Sequence, residues 1–199
     1  MRLFPIVFLA MVSLVSASLA DTFQDAETAL ERGDFAAARP AFERLAAQGH
    51  PGSQFRLGYL HRNGLGGRKD LEAAAHWYRR AAVQGHVQAQ RSLAVALELG
   101  RGLARDPEEA SIWYHRAAEN DDGYAQRWLG DAYLRGTESI GGDPTRAYFW
   151  YRLAAYHDPG CPAIADGLKE SGASLTARQR QDLDAKADDW RNDRDFGRD

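Results

Sequence analysis

Apolar positions return along this chain in alternating stretches of two kinds. In the first kind they stand four residues apart, as Ala89, Leu93 and Leu97, and again as Ala125, Leu129 and Tyr133. That is one stripe of a 3.6-residue period, which predicts helices with a single buried face. The second kind begins in each case after an aspartate, at Asp34, Asp70, Asp106 or Asp143. Aspartate caps a helix because its carboxylate accepts one of the backbone N–H groups left without an intrahelical partner. Pro107 and Pro144 follow two of these caps, where a missing N–H costs nothing, and Glu109 stands at capping-box spacing from Asp106. Glycines separate the two kinds of stretch, at 64, 66 and 67, at 100 and 102, and at 136, 141 and 142. They permit positive φ between helices. The pattern therefore predicts an all-α chain of helix pairs.

The pairs repeat. Leu71-Glu-Ala-Ala-Ala-His-Trp-Tyr-Arg-Arg-Ala-Ala82 is followed, 36 residues on, by Pro107-Glu-Glu-Ala-Ser-Ile-Trp-Tyr-His-Arg-Ala-Ala118. Leu57, Gly64, Gly66 and Asp70 recur as Leu93, Gly100, Gly102 and Asp106. A further copy carries Leu129, Gly130, Tyr133, Gly136, Asp143, Ala147, Trp150, Tyr151, Ala154 and Ala155, its second half displaced by 37 because the joint holds one extra residue. Gln48-Gly49-His50 stands 36 residues before Gln84-Gly85-His86, so a degenerate first copy occupies about residues 22–50. The Ala-Ala pairs keep the second helix thin, and Trp77, Trp113 and Trp150 are expected to supply the large contacts between layers.

Leu-Gly-x-x-Tyr-x-x-Gly, then Asp, then Ala-x-x-Trp-Tyr-x-x-Ala-Ala resembles the Sel-like repeat family, relatives of the tetratricopeptide repeats. Residues 53–86 and 88–121 carry it best, and it extends over about residues 22–157. His61 and Leu97 stand where the family has Tyr, and Ala94 where it has Gly. The resemblance implies an α/α solenoid of about three and a half helix-turn-helix repeats that binds other proteins.

The ends differ from the middle. Residues 1–20 combine Arg2, an apolar run from Leu3 to Val15 and small residues before Asp21, the pattern of a secretory signal peptide cleaved after Ala20. A periplasmic or secreted chain is expected, with no membrane span after cleavage. Residues 21–160 are assigned to the repeats and 161–199 to a capping helix and charged tail. Pro162 to Leu168 is expected to form a short helix interrupted at Ser171. Thr176-Ala-Arg-Gln179 is a capping box opening a polar helix toward Trp190, with Leu183, Ala187 and Trp190 on its buried side. A polar outer helix is what a repeat array needs at an exposed end.

Charge and composition narrow the function. Loss of Arg2 would move the net charge from −3 to −4, a balance that argues against nucleic acid, whose phosphates demand a basic patch. Cys161 is the single cysteine and cannot close an internal disulfide. The chain has no Gly-x-Ser-x-Gly elbow, Walker loop, His-Glu-x-x-His or Cys-x-x-Cys. No catalytic, metal or cofactor residues are assigned, and the histidines are given structural or surface roles. The run of Asp182, Asp184, Asp188 and Asp189 is read as a solvated helix face.

By analogy with tetratricopeptide repeats, the residues two before, two after and five after each core Leu line a concave groove. These are Phe55, Tyr59 and Arg62; Arg91, Val95 and Glu98; and Arg127, Asp131 and Leu134, with Tyr124 and Arg135 beside them. Phe55, Arg91 and Arg127 stand 36 residues apart in one row, and an aromatic followed by two arginines suits an extended peptide or a carboxylate terminus. The expected function is a monomeric, non-enzymatic adaptor holding a protein or peptide in the cell envelope. The alternatives are a secreted factor that binds host proteins, and a β-lactamase-like or cell-wall hydrolase. The last is known among cysteine-rich relatives, whose paired cysteines this chain lacks.

Overall fold

The computed structural model describes residues 22–195, and among them there are ten helices and no strand. They are α1 (residues 22–31), α2 (Phe35–Ala47), α3 (Pro51–Asn63), α4 (Leu71–Ala82), α5 (Val87–Leu99), α6 (Pro107–Glu119), α7 (Gly123–Arg135), α8 (Pro144–His157), α9 (Pro162–Gly172) and α10 (Ala177–Asp195). The segment expected to be a signal peptide, residues 1–20, lies outside the described residues, as do residues 21 and 196–199. Residue contacts divide the chain into two compact units, one ending at Ala89 and the other beginning at Gln90.

The aspartate caps form as the sequence predicts. Asp34, Asp70 and Asp106 each accept the backbone N–H three residues on, at 3.1, 2.9 and 2.8 Å, and Asp143 accepts from both Thr145 and Arg146. The first helices are capped by a second series that the periodicity did not single out. His50 Nδ1 accepts the Ser53 N–H at 3.1 Å, and His86 Nδ1 lies 3.3 Å from the Ala89 N–H. Asp122, 36 residues further, accepts from Ala125 at 2.9 Å. The residue before each of these caps has positive φ: Gly49 at 94°, Gly85 at 88° and Asp121 at 68°. Asp121 is the one non-glycine residue there among those described, in the left-handed region that L side chains rarely adopt.

The first unit has an apolar core of Ala26, Ala38, Phe42, Ala46, Leu57 and Leu60, joined by Phe23, Leu30, Phe35, Leu65 and Trp77. Arg56 makes a paired contact with Glu27, at 2.6 and 2.5 Å, tying α3 to α1. Tyr78 of α4 packs onto Gly58 of α3, where an added Cβ would lie 2.7 Å from the ring. Burial pushes the Tyr78 hydroxyl up to about 12.

In the second unit, Tyr151 of α8 packs onto Gly130 of α7, where a Cβ would lie 2.8 Å from the ring, and also onto Gly167 of α9. The helix α9 runs through Ser171 to Gly172 instead of breaking there. Ser171 is fully buried because its hydroxyl donates back to the Gly167 carbonyl at 2.6 Å. The capping box at α10 closes reciprocally: Gln179 N–H donates to Thr176 Oγ1, and Thr176 N–H donates to Gln179 Oε1. The acidic run is not simply a solvated face. Asp184 accepts from Tyr148 and pairs with Arg152 at 2.6 Å, and Asp188 accepts from Tyr156, all on α8. Residues 191–195, read from the sequence as frayed tail, continue this helix.

The three tryptophan–tyrosine pairs divide their work differently from expectation. Tyr114 and Tyr151 are among the largest fully buried side chains and Tyr78 is 2% exposed. Trp77 and Trp150 are only half-buried, while Trp113 is buried and donates its indole N–H to Glu109. Arg80 and Arg116 cover the Trp77 and Trp113 rings at 4.8 and 4.6 Å. The tyrosine is thus the core residue of each pair, and the tryptophan lies nearer the surface.

Candidate functional site

The candidate groove residues lie on the first helices α3, α5 and α7, as the register requires. In the first unit, Phe55 is buried, stacked on His86 at 4.8 Å and tilted against Tyr78 at 5.8 Å. It is a packing residue and not a presented ring. Beside it, Tyr59 is half-buried and Arg62 exposed, with the guanidinium 5.8 Å from the Tyr59 ring centre. Burial lowers the pKa of His86, and the neighbouring Arg56 charge adds to that, both favouring the neutral imidazole.

In the second unit, α5 and α7 bring Arg91, Tyr124 and Arg127 together. Tyr124 is a large side chain 44% exposed. The Arg91 and Arg127 guanidiniums lie 5.7 and 5.4 Å from its ring centre, within cation–π range. Each arginine also has an acidic partner: Arg91 meets Asp122 at 3.1 Å and Arg127 meets Asp131 at 3.2 Å. These contacts hold the guanidiniums in place but share their charge. Arg135 is exposed and stands 3.8 Å from Asp131, while Val95 and Leu134 are half-buried.

Two of the acidic groove candidates have structural duties. Glu98 accepts from the Tyr114 hydroxyl at 2.7 Å and from the Trp128 indole N–H at 3.0 Å, and those two rings stack at 3.9 Å. Asp131 accepts from the Tyr151 hydroxyl at 2.7 Å. Burial, then the donated hydrogen bond, push both tyrosine hydroxyls up. A carboxylate at each of these places lets a core tyrosine bury its ring while keeping its hydroxyl bonded. Tyr124 with Arg91 and Arg127 is thus an exposed cluster, Asp131 holds Arg127, and Phe55, the aromatic that the register offered, is buried.

The periodicity also left out a buried glutamine. Gln54, Gln90 and Gln126 stand 36 residues apart and are all buried. Gln54 donates to the Ala46 carbonyl and Gln126 to the Ala118 carbonyl, each at 3.2 Å and eight residues back. The signal was present: a polar residue recurring in phase inside an apolar stripe. Among the described residues no group of three or more His, Cys, Asp or Glu could hold a metal ion, and no helix is long and apolar enough to cross a membrane.

Three consecutive segments, residues 51–86, 87–122 and 123–159, match the family model of the Sel1 repeat, together more than half of the chain. Among solved structures, a Sel1 repeat protein from Oxalobacter formigenes is similar, with 32% identity and a TM-score of 0.65 over 69% of this chain and 54% of that one. A protective antigen present in uropathogenic Escherichia coli strains, displaying an SLR fold, is similar in fold, with 23% identity and a TM-score of 0.57 over 86% of this chain and 45% of that one. The chain spans about half the length of these solved proteins. No curated protein matches it. The family model and these neighbours agree on the fold class, an all-α solenoid of helical repeats with a C-terminal helix.

Proposed function

The chain belongs to the Sel1 repeat family, and from that premise we propose that it is a non-enzymatic adaptor of the cell envelope, holding a peptide segment of another protein against α5 and α7. Proteins of this family are generally protein-interaction adaptors and typically non-catalytic scaffolds. The observation that carries the reading is the exposed Tyr124 ring set between Arg91 and Arg127. An exposed aromatic held in place by its neighbours offers contact area at small cost in side-chain entropy, and arginine beside it bonds carboxylate in two-pronged fashion. An acidic or carboxy-terminal peptide segment suits that pair. The envelope location rests on the signal-peptide pattern of residues 1–20.

The experiment uses residues 21–199 and two variants, Tyr124→Ala and Arg91→Glu with Arg127→Glu. Each is immobilised and exposed to the same envelope extract, and captured proteins are identified by mass spectrometry. Synthetic segments of the captured protein are then titrated, with free and with amidated C-termini. The reading expects capture by the unaltered chain and loss from both variants, with peptide affinity about tenfold or more weaker for Tyr124→Ala. Equal capture by all three would move the site away from α5 and α7.

A further inference from the structure

Four positions of the second helices fall in one register: Arg39 of α2, Ala75 of α4, Ser111 of α6 and, after the one-residue displacement, Tyr148 of α8. Within the first unit, Arg39 faces the joint that follows α3. Its guanidinium lies 3.3 Å from His61 Nε2, and a Cβ added to Gly67 would meet Arg39 Nη1 at 2.8 Å. The side chain is 20% exposed, so the joint is filled by the chain's own arginine.

Within the second unit the same place is open. The register gives the small Ser111 where Arg39 stood and Tyr133 where His61 stood, and the joint after α7 is one residue longer. The result is a cleft of about 460 Å³ lined by Ser111, His115, Tyr133, Ser139, Asp143 and Arg146, together with Ile140 and the Gly141–Gly142 backbone. That volume is at the small end of ligand pockets, and the polar lining selects a hydrophilic guest.

The lining is held in place by its own bonds. His115 Nδ1 lies 2.8 Å from the Ser111 carbonyl, which can only accept, so Nδ1 carries the proton. His115 Nε2 meets the Tyr133 hydroxyl at 3.1 Å, and Arg146 Nη1 donates to that hydroxyl at 3.3 Å. Arg146 Nε faces Asp143 at 3.4 Å, which leaves further guanidinium N–H groups for a guest. Neither Gly141 nor Gly142 gives its backbone N–H to any described residue. The donors left without an acceptor, on Arg146 and on the Gly141–Gly142 backbone, stand together and suit an oxyanion. Asp143 disfavours a dianion and favours a single carboxylate, while Ser111, whose own hydroxyl donates to the Glu108 carbonyl at 2.8 Å, can accept from a guest hydroxyl, and Ser139 stands beside it in the lining.

We propose that the cleft between α6 and the α7–α8 joint binds a small hydroxylated monocarboxylate, with the carboxylate on Arg146 and the Gly141–Gly142 amides. The site is independent of Tyr124 and of the adaptor reading.

The test follows backbone amide NMR signals of the chain during titration with gluconate. Glucose, which has a similar body without the charge, and inorganic phosphate serve as comparison arms. Gluconate is expected to move the Gly141 and Gly142 signals at millimolar concentration, and glucose is not. Arg146→Gln, at an exposed side chain, is expected to weaken gluconate about tenfold or more. Ser111→Arg, which places in this cleft the residue that fills its counterpart, is expected to abolish binding. Tyr124→Ala is expected to bind gluconate unchanged, so this site and the peptide reading fail separately. Unmoved glycine signals, equal affinity for Arg146→Gln, or tighter binding of glucose or phosphate than of gluconate would each overturn the proposal.

Discussion

Arg39 and Ser111 hold the same position in the repeat, 72 residues apart, and do opposite things with it. The arginine closes the joint of its unit, and the serine leaves a cleft in the other. The contrast continues through the two units. The first caps α3 with His50, and the second caps α7 with Asp122. The first buries Tyr78 with no hydrogen-bond partner for its hydroxyl among the described residues, while the second gives Tyr114 and Tyr151 the carboxylates of Glu98 and Asp131. Backbone architecture is thus set by the few positions that recur in every copy. The positions between them are free to differ, and chemistry can accumulate there without disturbing the fold.

The largest expected effects test what the units share. Gly58→Ala and Gly130→Ala would each drive a Cβ to within 2.8 Å of a tyrosine ring, and each is expected to cost about 2–3 kcal/mol in urea unfolding. At the same register Ala94 already carries a Cβ, so Ala94→Gly is expected to cost only about 1 kcal/mol, the helix-propensity difference. Equal costs at all three positions would mean that glycine is not serving as the seat of the tyrosine. Next come effects that separate the units. Tyr114→Phe removes a donor from Glu98 and is expected to cost about 1–2 kcal/mol, whereas Tyr78→Phe is expected to stay within about 0.5 kcal/mol.

The smallest effect concerns pH. Burial lowers the pKa of His50, His61 and His86, all in the first unit. A lowered folded-state pKa favours the neutral ring, so this stability is present above the ordinary value near 6.5. It is lost as pH falls from there toward the lowered folded values. Amide hydrogen exchange at Ser53 and Ala89, corrected for intrinsic rate, is expected to quicken between pH 7 and 5. His50→Asp is expected to remove the effect at Ser53, because an ordinary carboxylate titrates near 3.9 and keeps its acceptor. A pH-independent Ser53 in the unaltered chain would show that His50 is not the acceptor that holds that turn.

Much of the fold could be read from the chain because its signals are periodic and local. Asp70, Asp106 and Asp143 cap where spacing puts them, and Thr176 with Gln179 closes its box. The histidine caps were harder to read because such a cap depends on where the ring Nδ1 points, which residue type and spacing do not give. Phe55 looked like a groove residue because the rule counts from Leu57, but His86, in the turn after α4, offers its ring a stacking partner. Glu98 and Asp131 looked like groove charges until the burial of Tyr114 and Tyr151 gave them a duty. Asp184 and Asp188 looked solvated because helical spacing cannot say that α8 offers Tyr148, Arg152 and Tyr156 in matching places. The cleft was not legible at all, since it comes from a missing side chain and one inserted residue acting together.

That last match on α8 bears on how such a chain can change length. The side chains that grip α10, Tyr148, Arg152 and Tyr156, fall in register with Ser111, His115 and Glu119 of α6 and with Ala75 and Arg79 of α4 and Val83 just after it. Neither earlier copy could hold the closing helix, because neither offers the phenols that Asp184 and Asp188 accept from. Recombination that discards the final copy would therefore leave α10 without its seat.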